Sequence, residues 1–120
     1  MKILVIEDEP KAGDYLRSGL TESGYVVDLA RNGKDGLHMA QEFRYDLIVL
    51  DVMMPEMDGY ETMRRIRKQP SFRTLPIIAL TAKAMKGDRE KCLEAGASDY
   101  VAKPVNTDQL LSLVRLWLHR

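Results

Sequence analysis

Five side chains, Glu7, Asp8, Asp51, Thr81 and Lys103, close short apolar runs, and their types suggest one shared chemistry. Carboxylates brought close together repel, and at least one pKa rises unless a cation neutralises them. Magnesium suits such a site, because it takes oxygen ligands, accepts one or two direct carboxylates and keeps waters that a phosphate can displace. A hydroxyl and an ammonium facing that metal would hold the remaining oxygens of a phosphoryl group. The set therefore reads as a phosphoryl-transfer site without a nucleotide cradle.

Such residues converge only if the runs that carry them are parallel strands. Ile48-Val49-Leu50 is apolar without alternation, ends on Asp51 and is broken by Met54-Pro55, as expected of a strand buried on both faces. Lys2 to Ile6 is a similar run ending in Glu7-Asp8-Glu9, where Glu9 reads as a helix cap. Residues 25–29, 76–81 and 99–102 complete five predicted strands, with 46–50 as the third. A helix follows each. The first starts at Pro10, carries Ala12, Tyr15, Leu16 and Leu20 inward, and stops at Ser23-Gly24. The second follows Asn32-Gly33 with a stripe of Leu37, Ala40 and Phe43. The third opens at Asp58-Gly59 with Tyr60, Met63 and Ile66 inward, leaving Arg64, Arg65, Arg67 and Lys68 as a solvated face. Residues 86–95 form a fourth helix with a poor apolar stripe of Met85, Cys92 and Leu93, a candidate moving part. Thr107 or Asp108 is expected to cap the fifth, whose Leu110, Leu113, Val114 and Trp117 face the sheet. Alternating strands and helices with short connections predict an α/β doubly wound three-layer sandwich around a parallel sheet.

Composition narrows the function classes. At 120 residues and 45% hydrophobic content, the chain is expected to be a single domain over 1–120 with no effector domain. Lys+Arg and Asp+Glu are equal at 18 each, which excludes the basic excess of a nonspecific nucleic-acid binder. A lone cysteine, Cys92, excludes an internal disulfide and a cysteine-built metal site. With no signal-like start and no apolar run of about 20 residues, a soluble, cytoplasmic protein is expected.

In order along the chain stand Glu7-Asp8, Asp51 with Met54-Pro55 and Asp58-Gly59, Leu80-Thr81-Ala82, Gly96-Ala97-Ser98-Asp99-Tyr100 and Lys103-Pro104. Together they resemble the receiver domain of two-component response regulators over essentially the whole length. The resemblance implies a flavodoxin-like (βα)5 fold of strand order 2-1-3-4-5. It also implies reversible phosphorylation of Asp51 by a phosphohistidine donor, a histidine kinase or phosphotransfer protein. Asp8, Asp51 and the carbonyl of Met53 would bind Mg²⁺, and Glu7 would act through water. Thr81 and Lys103 would hold phosphoryl oxygens, and Lys103-Pro104 would be a cis junction. Thr81 and Tyr100 would then shift the surface of helix four, strand five and helix five. A receiver of this kind is not an enzyme acting on a separate substrate. On this resemblance the chain would bind neither nucleic acid nor membrane directly and would be a monomer or a weak phosphorylation-dependent dimer.

Other readings stay open at this point. An aspartate-nucleophile phosphatase would want a second aspartate two residues after Asp51, where Met53 stands. A folded scaffold without a physiological signal would keep every site residue. Residues 1 to about 55 resemble receivers of winged-helix transcription factors, whereas Asp58 onward, with Val105 after Lys103-Pro104, resembles receivers of hybrid sensor kinases. A recombined or engineered chain joined between Asp51 and Asp58 is therefore expected.

Overall fold

The computed structural model describes residues 1–53, 59–81 and 86–119. The expectations placed on Met54-Pro55, Asp58, Ala82 and Met85 lie outside these. Element order is β1 (Lys2–Ile6), α1 (Pro10–Glu22), β2 (Val26–Ala30), α2 (Gly33–Glu42), β3 (Leu47–Asp51), α3 (Gly59–Arg67), a short 3-10 turn (Pro70–Phe72), β4 (Ile77–Thr81), α4 (Lys86–Ala95), β5 (Asp99–Ala102) and α5 (Thr107–Leu118). All neighbouring strands pair in parallel, in the order β2-β1-β3-β4-β5. This is the expected flavodoxin-like sandwich.

The unalternating runs pack as such runs must. In β1, β3 and β4, every residue but Lys2 is buried, and consecutive side chains go to opposite faces. Leu4, Ile6, Ile48, Leu50, Ile77 and Ala79 join Met63, Ile66 and Cys92 on the side of α2, α3 and α4. Ile3, Val5, Val49, Ile78, Leu80 and Val101 join Leu16, Leu20, Leu110 and Val114 on the side of α1 and α5. Each large apolar side chain so buried stabilises the fold by roughly 1.5–3 kcal/mol. The sheet is thus pinned from both faces, and its strand ends are fixed.

Local signals act as expected at several boundaries. Glu9 caps α1 by accepting from the backbone N–H of Lys11 and Ala12, and Pro10 occupies the first turn. Gly24 ends α1 at φ +94°, a conformation that a side chain would oppose.

Five expectations are corrected. Leu93, expected in the apolar stripe of α4, is 42% exposed, because it follows the buried Cys92 by one residue and so turns about 100° away from the packed face. Tyr15 is 51% exposed and its hydroxyl meets Thr107, because position 15 looks along α1 toward the start of α5 instead of into the sheet. Phe43 is exposed and closes α2 as its C-terminal cap, one residue past the packed stripe. Asn106, not Thr107 or Asp108, caps α5 by accepting from the Gln109 N–H at 3.1 Å. Arg67 does not belong to the solvated face with Arg64, Arg65 and Lys68; it is half-buried and its guanidinium is taken up by backbone carbonyls.

Candidate functional site

The order of the sheet reverses direction between β1 and β3, and the crevice beyond their C-terminal ends is where α/β sheets place ligands. Glu7 and Asp8 follow β1 there, and Asp51 ends β3. Glu7 and Asp51 are buried and Asp8 is half-buried, and one carboxylate oxygen from each lies within 4.8 Å of the others. No other cluster of metal-ligating side chains occurs among the described residues.

Residue parity explains what reaches this crevice. Glu7, Asp51 and Lys103 continue the alternation of Val5, Val49 and Val101, which face α1 and α5. Thr81 continues that of Ile77 and Ala79 on the opposite side. Lys103 leaves the end of β5, passes over β4, and sets its Nζ 2.9 Å from Asp51 Oδ2 and 3.2 Å from Glu7 Oε1. Its backbone is fixed by an N–H bond of 2.7 Å to the Thr81 carbonyl, and the Lys103–Pro104 peptide is cis, as the resemblance implied. Asp51 Oδ1 accepts from the Met53 N–H at 2.9 Å, so both of its oxygens are held.

These contacts set the charge state. Burial, together with the hydrogen bond to Asp51 and that residue's charge, pushes the Glu7 carboxyl up to about 8; Lys103 offsets only part of this. Burial would raise Asp51 as well, but bonds from Glu7, Lys103 and the Met53 N–H, with the Lys103 charge, hold it below the ordinary carboxyl value. Lys103 is desolvated, yet Asp51 and Glu7 keep its pKa raised. One ammonium therefore cannot satisfy the group. Glu7 Oε2 is buried with no hydrogen-bond donor when the carboxyl is ionised. A proton bridging to Asp51 satisfies the pair, and so would a cation. The donor set is all oxygen, which fits a hard divalent ion such as Mg²⁺.

The other expected residues lie around this group. Met53 is 57% exposed at the mouth, and Thr81 is buried at the end of β4. Tyr100 sits within β5 in register with Ala79, away from the carboxylate edge, and is half-buried with the Arg89 guanidinium 5.9 Å from its ring centre. Glu9 points away as the α1 cap. The Met53 N–H was not among the residues expected to hold Asp51, since a backbone donor leaves no trace in residue type.

A parallel α/β sandwich of strand order β2-β1-β3-β4-β5, with three carboxylates and a lysine gathered at its switch point, defines a flavodoxin-like domain with a polar site. A family profile for the response regulator receiver domain matches residues 3–115, and the chain belongs to that family. Receiver domains are signalling switches and not enzymes with separate substrates. The chain is 49% identical over 120 residues to the transcriptional activator protein IrlR of Burkholderia pseudomallei strain 1026b, covering 51% of it. It is 48% identical over 120 residues to the transcriptional regulatory protein CusR of Escherichia coli K12, covering 52%. The chain thus spans about half the length of these curated relatives. Among solved structures it resembles the receiver domain of the sensor histidine kinase PA1611 from Pseudomonas aeruginosa PAO1, which holds a magnesium ion in its active site cleft. That match is 41% identical, covers 99% of this chain and 98% of the other, and has a TM-score of 0.92. A transcriptional regulator and a sensor-kinase receiver both match this chain over essentially its whole length, so these similarities lend no support to a join near Asp51 to Asp58.

Proposed function

We propose that the chain is a phosphoacceptor switch that takes a phosphoryl group from a phosphohistidine donor onto Asp51. The observation that carries this reading is Asp51 itself: a buried carboxylate held ionised at a sheet edge, with one oxygen on Lys103 and the other on the Met53 N–H. An Asp51 oxygen attacks phosphorus, the P–N bond to the donor imidazole breaks with its electron pair leaving on nitrogen, and an acyl phosphate forms. Transfer of this kind asks for positioning and charge neutralisation more than for covalent help from the protein. Lys103 exchanges Asp51 Oδ2 for a phosphoryl oxygen, and the Thr81 hydroxyl takes another. Glu7, Asp8, Asp51 and the Met53 carbonyl would hold Mg²⁺, which would neutralise charge on the transferring group. The orphaned Glu7 Oε2 supports that assignment, as does the magnesium in the PA1611 receiver.

The reading extends to partners and place. A histidine kinase or phosphotransfer protein supplies the phosphoryl group, in the cytoplasm, and the chain makes no direct contact with nucleic acid; it is a monomer or a weak phosphorylation-dependent dimer. No helix among the described residues is long and apolar enough to cross a membrane. Thr81 and Tyr100 carry the state of Asp51 to the surface of α4, β5 and α5 as a population shift. Hydroxylamine trapping tests the acceptor. After incubation with acetyl phosphate and Mg²⁺, hydroxylamine should convert Asp51, and no other carboxylate, to a hydroxamate located by peptide mass spectrometry. A hydroxamate elsewhere, or none, contradicts the assignment.

A further inference from the structure

The first turn of α3 lies closer to the end of β3 than any side chain would allow. A Cβ added to Gly59 would stand 2.3 Å from Val52 Cα, 2.4 Å from the Asp51 carbonyl oxygen and 2.9 Å from the Asp51 carbonyl carbon. All three are backbone atoms. Gly13, Gly19, Gly36 and Gly96 are also closely packed, but the atoms nearest to them belong to the side chains of Leu29, Thr107, Ile6 and Arg67. A side chain can turn into another rotamer and make room, whereas a backbone atom moves only with its strand.

Neither partner at Gly59 is free to retreat. The Asp51–Val52 peptide is tied into the sheet, since the Val52 N–H donates to the Leu80 carbonyl at 3.0 Å, and Val52 itself is buried. On the helix side, Tyr60, Met63 and Ile66 are buried in the core that also holds Ile48 and Leu50. Met63 and Ile66 follow Gly59 by four and seven positions, so they share its helix face and draw it onto the strand. The peptide under Gly59 is also the one that leaves the Asp51 Cα. A shift there carries the carboxylate with it, and that carboxylate has Oδ2 at 2.9 Å from Lys103 Nζ and Oδ1 at 2.9 Å from the Met53 nitrogen.

We propose that Gly59 is a positioning residue for Asp51: its missing side chain lets α3 seat directly on the Asp51–Val52 peptide, and that seat fixes where the carboxylate stands beyond the strand end. The effect on phosphoryl transfer rests on the phosphoacceptor reading, whereas the seat itself rests on the packing. Alanine at this position must part the two backbones from 2.3 Å to at least 3.0 Å, a separation of about 0.7 Å more. Misplacing a reacting group by about 1 Å can cost an oriented transfer about 100-fold. Gly36 is the natural comparison, because a Cβ there meets the tip of Ile6 at 2.4 Å, in the same core, and that tip can turn away.

Gly59→Ala and Gly36→Ala, made in the whole chain, test this beside the native protein. Each is phosphorylated with saturating acetyl phosphate and Mg²⁺, and the maximal rate is expressed per folded molecule from urea unfolding. Gly59→Ala should lose about tenfold or more in that rate, and Gly36→Ala less than threefold. Without metal, the NMR shift of the Met53 amide proton reports its bond to Asp51 Oδ1. Gly59→Ala should move it at least half as far as Asp51→Ala does, and Gly36→Ala should leave it near its native value. If Gly59→Ala does not fold, Met63→Ala takes its place, since it removes the anchor one turn further along the same face. It should slow the folded chain about threefold and move the Met53 shift, whereas Leu20→Ala, a similar truncation in the core on the other face of the sheet, should do neither. A folded Gly59→Ala that matches Gly36→Ala in rate or in Met53 shift overturns the positioning role, as does Met63→Ala matching Leu20→Ala. If the native chain takes up no phosphoryl group, the phosphoacceptor reading fails, and the Met53 shift in the same variants still decides the seat.

Discussion

Two half-buried cations stand at opposite ends of the sheet and are satisfied in opposite ways. Lys103, at the C-terminal strand ends, faces the carboxylates of Asp51 and Glu7. Arg67, near the N-terminal ends of β4 and β5, faces carbonyls and a hydroxyl. At the first end one positive charge meets more negative charge than it can balance, and a buried oxygen of Glu7 is left over. At the second, a single delocalised charge is spread over dipoles and nothing is left over. Burial pulls the Arg67 guanidinium down from its ordinary pKa, but such a group keeps its proton in proteins. The lesson is that unfinished electrostatics mark the candidate functional site, and finished electrostatics mark a structural contact.

Removing each cation should therefore break different things. Lys103→Ala should slow phosphorylation by acetyl phosphate by about 100-fold, the size expected when one preorganised charge is taken from a developing anion. Mg²⁺ binding should persist or tighten a few-fold in titration calorimetry, since the ammonium no longer competes for the same carboxylates. Arg67→Ala should do the reverse. Stripping the donors from the Phe72, Leu75 and Gly96 carbonyls should cost about 2–4 kcal/mol in urea unfolding, with Mg²⁺ affinity unchanged.

Acidity sharpens the contrast, because only the carboxylate end titrates. The Glu7 carboxyl rises from an ordinary 4.5 to about 8, so the folded protein keeps a proton that the unfolded chain releases. That contribution is complete below the unfolded value and is lost as pH climbs through the folded one. Asp51 is shifted down, so its contribution is lost only under acid, as pH falls below its ordinary value. The metal-free Tm should therefore fall between about pH 5 and pH 8. Glu7→Gln should flatten this slope, and saturating Mg²⁺ should cancel it by displacing the proton. A Tm that rises over the same range without metal would contradict the assignment of Glu7. The smallest effect belongs to neither end: Asn106→Ala should cost about 1 kcal/mol of stability, the worth of one helix cap, with phosphorylation unchanged.

The same contrast explains what could be read from the sequence. The convergence of Glu7, Asp8, Asp51 and Lys103, and the place of Thr81 at the end of β4, were legible because parallel strands deliver their terminal residues to one edge, and the apolar runs announce those strands. The sheet order came with the family resemblance and not from the runs, which do not encode which strand neighbours which. Arg67 was not legible. It stands three residues after Arg64 and two after Arg65, and its partners are carbonyls that any residue type supplies. Tyr15 and Phe43 followed the helical period and still missed the core, because periodicity gives a face and not how far the sheet extends beneath it. Asn106 was displaced by two equally good cap types beside it, and only the backbone decides where α5 begins.

The claim that most needs testing is that this unfinished carboxylate edge accepts a phosphoryl group at Asp51. Intact-mass analysis after incubation with acetyl phosphate, with and without Mg²⁺ and beside Asp51→Asn, tests it directly. The account predicts a gain of one phosphoryl group that requires Mg²⁺ and is absent from the variant. An adduct that persists in Asp51→Asn, or no adduct on a folded chain that binds Mg²⁺, would contradict it.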